Sequence, residues 1–166
     1  MSEQNPYAPP KASVTPVANA EVAPALWNPT AAGGWSLIFS PIFGAFLHMQ
    51  NWKSLGQPEK ATASKKWIFA SIVFFVGLGF SSLFMMESKG LDAFGRFGGL
   101  ALLIAWYYAI GKSQQTYVAE RFGKHYPRRA WTIPLVTAIG IFIIFIGVFV
   151  LLAFLLMAVG VIPGNA

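Results

Sequence analysis

From Trp131 to Ile162 the chain runs without one formal charge, "WTIPLVTAIGIFIIFIGVFVLLAFLLMAVGVI". A helix needs about 20 predominantly apolar residues to cross the hydrocarbon of a bilayer, and this run is longer than that. A run of such length does not fit the core of a small soluble domain. It calls for a lipid environment, with the helix tilted or extended beyond the hydrocarbon. The composition of the 166 residues agrees: 55% are hydrophobic, 16% aromatic and only 11% charged, where a soluble domain carries about 25% charged residues.

Two further runs read the same way. Trp67–Met86 is uncharged throughout and long enough to cross, and Phe97–Gly111 is uncharged but shorter. The second of these continues into "KSQQTYVAERF", whose helix-forming residues predict an extension past the bilayer. A fourth run, Ala31–Met49, also lacks a charge but contains the step Ser40-Pro41. A proline removes one intrahelical bond, which neighbouring helices and a serine can make good in a membrane helix. This segment is therefore expected to cross.

The expected fold class is an all-α polytopic transmembrane bundle of four membrane helices, the first being the weakest. They are placed at about 33–52, 58–86, 95–122 and 131–161, forming one domain over 31–166. Residues 1–30 contain Pro6, Pro9, Pro10, Pro16, Pro24 and Pro29 and no helical apolar period. They predict a disordered or extended tail, and they lack the apolar core of a secretory signal. Between the first two helices, Gly56 suits a left-handed cap, Pro58 a first helical turn, and Glu59 the positive end of the next helix.

Loop charge sets the expected orientation. Segments 51–66, 87–96 and 112–131 hold 4, 2 and 5 Lys and Arg. Loops 51–66 and 112–131 should then be cytoplasmic, with 87–96 and the C-terminus periplasmic. The tail would lie outside if 31–50 crosses and inside if it turns back.

The sequence offers few groups for chemistry. There are no cysteines, which removes thiolate nucleophiles and Cys-based metal sites. Segments 67–86, 97–111 and 132–162 contain no Asp, Glu, Lys, Arg or His, unlike the proton relays of pumps. Ser71, Ser81 and Ser82 are the polar groups left to line a pore. The histidines, His48 and His125, sit in no catalytic or zinc motif; His48 reads as a polar interfacial residue at a helix end. No catalytic, cofactor-binding or metal-binding residue is assigned. The small residues Ala101, Ala105 and Ala109, with Gly77, Gly79, Gly140 and Gly147, predict close helix packing inside the bundle or between copies. The net charge of +6 is read as orientation and as contact with anionic lipid headgroups at Lys53, Lys65, Lys66, Arg128 and Arg129, not as nucleic-acid binding.

The stretches "NPYAPP", "LWNPTAAGGWSLIFSPIFGAFLHMQNWKSLGQPEKATASKKW" and "YVAERFGKHYPRRAW" resemble a group of small uncharacterised inner-membrane proteins of proteobacteria. "FSPIFGAFLHMQNWKSLG" is the most specific part. The resemblance implies a bacterial inner-membrane location and a few helices; it implies no reaction, cofactor or catalytic residue. The expected role is a structural or interaction protein with membrane lipids and a protein partner or second copy as contacts. The alternative is a subunit of a small oligomeric channel or transporter, and an enzyme is not expected.

Overall fold

The computed structural model describes residues 22–84 and 89–161, and among them every regular element is helical. Three helices are long and apolar enough to cross a membrane: Pro58–Ser82, Lys89–Phe122 and Thr132–Ala158. The elements are α1 (Pro29–Phe39), α2 (Pro41–Ser54), α3 (Pro58–Phe84), α4 (Lys89–Trp106), a π-turn (Tyr107–Gly111), α5 (Lys112–Phe122) and α6 (Thr132–Ala158). Most of the expected tail, residues 1–21, lies outside the described residues, as do the end of the second expected helix and the turn at 85–88.

The first expected span is two helices. Ser40 takes φ 87° and ψ 163°, a region that glycine alone adopts freely. The chain reverses there. α1 and α2 lie side by side as a hairpin, with Pro29 against His48 and Ser36 beside Gly44. A continuous helix, rising about 1.5 Å per residue, would hold Pro29 and His48 about 30 Å apart. Instead the Pro29 carbonyl lies 3.3 Å from His48 Nε2. The expectation that 31–50 forms one crossing helix is corrected by this contact. Pro41 opens α2 as its first residue, where the missing N–H costs nothing.

The tail boundary at residue 30 also moves. Asn28 caps α1, its Oδ1 accepting from the backbone of Thr30 at 3.0 Å and Ala31 at 3.4 Å. Leu26 is fully buried. Its N–H donates to the Pro127 carbonyl and its carbonyl accepts from Arg129 N–H, both at 2.9 Å. The fold therefore begins at or before Leu26.

Beyond the hairpin, the Gly56 turn with φ 66° leads into α3, whose first turn carries Pro58 and Glu59 as expected. α4 returns antiparallel. Gly98 faces Phe74 and Gly95 faces Leu78. These glycines make the close crossing, whereas Ala101, Ala105 and Ala109 are exposed. Within the bundle, α4 thus packs by its glycine side and not by the alanine side. α6 leaves again parallel to α3. Leu135 and Ala138 pack on the hairpin, and Phe149 lies against Gly79. Gly77, Gly140 and Gly147 face open space. Helix α6 is apolar on all sides and has no buried residue in its apolar window, as suits a membrane span.

Candidate functional site

At the end of the bundle where Leu26, the 55–57 turn and the 123–131 loop meet, three polar side chains lie fully buried. They are His48 and Asn51 on α2 and Gln114 on α5. In α2 their i, i+3 spacing puts His48 and Asn51 on one face. Gln114 reaches them because of the π-turn. An ideal α-helix rotates about 100° per residue, so Gln114, eight positions after the buried Trp106, would point about 80° away from it. The wider turn at Tyr107–Gly111 absorbs one residue and brings both side chains to the hairpin.

Asn51 treats the backbone of Trp27 as a strand would. Its Oδ1 accepts from Trp27 N–H at 3.0 Å, and its Nδ2 donates to the Trp27 carbonyl at 2.8 Å. The same amide donates to Gln114 Oε1 at 3.1 Å, and Gln114 Nε2 donates to the His48 carbonyl at 2.8 Å. One carboxamide thereby ties the segment around Trp27 to α2, and the next ties α2 to α5. Trp27 is fixed further by its Nε1–H to the Ala130 carbonyl at 3.0 Å. The Arg129 guanidinium covers its ring at 4.6 Å and donates to Ser54 Oγ at 3.0 Å.

His48 is not an interfacial cap. It lies outside the three crossing-length helices yet is fully buried, with its ring 5.2 Å from that of Trp106. The Pro29 carbonyl can only accept, so the proton sits on Nε2. Burial pushes the imidazole down to about 4, and the bond to Pro29 opposes that only in part. The ring is neutral at physiological pH. Its Nδ1 and the Trp106 Nε1–H are both buried without a partner among the described residues. One is an acceptor and the other a donor, so the pair is chemically complementary.

The other sequence candidates do not join this cluster. His125 is exposed, and no group of three or more metal-binding side chains occurs among the described residues. Ser71 is buried with its hydroxyl unpartnered among the described residues, while Ser82 donates to its own helix at the Gly79 carbonyl, 2.7 Å away. Of the basic residues, Lys53, Lys65, Lys66 and Arg128 are exposed; Arg129 is half-buried under the contacts just described. Lys60 Nζ sits 4.5 Å from the Trp52 ring centre and 4.7 Å from that of Tyr117. Sequence reasoning missed Asn51 and Gln114, which lie far apart in the chain and look like ordinary interfacial amides. The one local signal was the run "LWNPT", where Asn-Pro is a helix-start signature. Comparison with protein-family models, curated proteins and solved structures finds no match to this chain.

Proposed function

We propose that this is a multi-pass protein of a bacterial inner membrane, acting as a non-enzymatic structural or accessory component. In this reading α3, the α4–α5 rod and α6 cross the bilayer, and α1–α2 is a re-entrant hairpin that enters and leaves on the cytoplasmic side. Segments 51–66 and 112–131 carry nine of the 12 Lys and Arg, four plus five, and both belong to the end that also receives the chain from Val22. That convergence is the observation that carries the proposal. It makes one basic, aromatic face for anionic headgroups and a protein partner, with Lys53, Lys65, Lys66 and Arg128 turned to solvent. The tail preceding it would lie on the same side.

The test is deletion of residues 1–21 followed by crosslinking in native membranes. The bundle should remain folded, since Leu26, Trp27 and Asn28 are kept, and a crosslinked partner should be lost. An unchanged partner profile contradicts the accessory reading. The re-entrant hairpin favours a second reading, a channel subunit, because irregular backbone at membrane depth also lines pores. Steady unitary conductance from the purified protein in planar bilayers would replace the first reading with the second.

A further inference from the structure

A cavity of about 330 Å³ opens between the hairpin and the α4–α5 rod, at the small end of the roughly 300–1,000 Å³ typical of ligand sites. One wall is α1, through Gly33, Gly34 and Leu37; the other is Leu100, Ile104, Tyr107 and Tyr108. Its two ends differ. Toward the hairpin tip it is wholly apolar, at Leu37 and Leu100. Toward the basic end it meets Thr30 and Gln115. From Leu100 to Gln115 the rod rises about 20 Å, comparable with an extended acyl chain.

The polar end is a set of donors. Gln115 Oε1 accepts from Tyr107 Oη at 3.2 Å. That leaves the Gln115 amide N–H groups, which lie directly over Gly33, with no protein acceptor among the described residues. Thr30 also lines this end, and Lys112, outside the lining itself, places its ammonium 6.0 Å from the centre of the ring of the lining residue Tyr108. No carboxylate lines the cavity among the described residues. Gly33 and Gly34 keep the α1 wall flat. A Cβ at Gly34 would meet nothing within 4 Å, so this residue borders space rather than packing.

We propose that this groove holds one glycerophospholipid with an anionic headgroup, its phosphate at Lys112, Gln115 and Thr30 and one acyl chain between α1 and α4. The assignment rests on the membrane reading above; it places one lipid in the groove beside α1, where the polar end adjoins Lys112 at the start of the 112–131 segment. The hairpin then does more than fill the bundle: it forms half of a lipid-binding wall that a continuous helix could not supply.

Photoactivatable phosphatidylglycerol, carrying a diazirine at the end of one acyl chain, tests this in phosphatidylcholine vesicles containing the full chain. Adducts should concentrate at Leu37, Leu100 and Ile104. Gly34→Phe should lower them several-fold, while Gly140→Phe, on the open face of α6, should not. Lys112→Gln should lower labelling by the phosphatidylglycerol probe but not by the matching phosphatidylcholine probe. Adducts spread evenly over α3, α4 and α6 and insensitive to Gly34→Phe would overturn the site while leaving the membrane reading standing. Absence of adducts on every helix would overturn the membrane reading as well.

Discussion

Replacing Asn51 with alanine should release the segment around Trp27 from the bundle. Three groups lose their partner: Trp27 N–H, the Trp27 carbonyl and Gln114 Oε1. A buried polar group left unpaired costs about 1–3 kcal/mol. The two Trp27 groups are half-shielded and count near the low end, about 1 kcal/mol each; the Gln114 oxygen is interior and counts about 2 kcal/mol. The expected loss is about 4 kcal/mol, among the larger effects of a single substitution. Asn51→Asp should cost at least as much, because a carboxylate still accepts from Trp27 N–H but cannot donate to either oxygen. Unfolding of the detergent-solubilised protein measures the loss, and hydrogen exchange locates it. Protection should vanish at the amides of Leu26 and Trp27 before it changes in α3. In a double-mutant cycle, Asn51→Ala and Gln114→Ala should be strongly non-additive, since each already breaks their shared bond. A loss under about 1 kcal/mol, or additive effects, would refute the idea that these carboxamides hold the hairpin.

Substitutions at three other positions probe the same region. Gly44→Ala would drive a Cβ into Ser36 Oγ and the Trp106 ring, both held in place, so thermal unfolding should register a cost near the upper end of about 1–3 kcal/mol for overpacking; a neutral result would mean that α2 and α4 are not in that contact. Ser40→Gly should be neutral or stabilising by about 1 kcal/mol as the positive φ is relieved, whereas Ser40→Val should destabilise; equal stability of the two would argue against the reversal. His48 gives the pH response. The folded state keeps the imidazole neutral down to about 4, while the unfolded chain takes up a proton at its ordinary 6.5. The unfolded state therefore binds more protons between these values, and stability falls as pH drops from 6.5 toward 4, by an amount on the order of 3 kcal/mol. His48→Gln should flatten that part of the stability–pH curve, and an unchanged acid slope in the variant would count against a buried neutral His48.

Much of the long-range plan was legible. The uncharged runs beginning at 67, 97 and 131 are helical over 67–84, 97–106 and 132–158, because in such runs only the backbone's own hydrogen bonds satisfy the peptide groups. Gly56 and Pro58 stopped and started helices where their φ preferences required. The reversal at Ser40 was not legible, because Ser-Pro is equally compatible with a kinked span and with a new helix beginning at Pro41. What decides between them is tertiary. His48 and Asn51 find Pro29, Trp27 and Gln114 only when α1 folds back, and those partners are remote in the chain. The π-turn had no local signature either; it follows from the need to bring Trp106 and Gln114 to one partner. Inside the bundle the alanine stripe of α4 stays exposed, because Gly95 and Gly98 offer α3 a closer approach.

The side on which residue 25 lies tests the account most directly, because one crossing more or less reverses it. The chain has no cysteine, so single cysteines can be introduced at exposed positions: Ala25→Cys, Thr62→Cys and Lys89→Cys. In intact cells an impermeant maleimide added from outside should label position 89 and leave 25 and 62 untouched, and inverted vesicles should show the opposite pattern. Labelling of position 25 from outside, with 62 protected, would mean that the first segment crosses the membrane and that the hairpin is not the native arrangement.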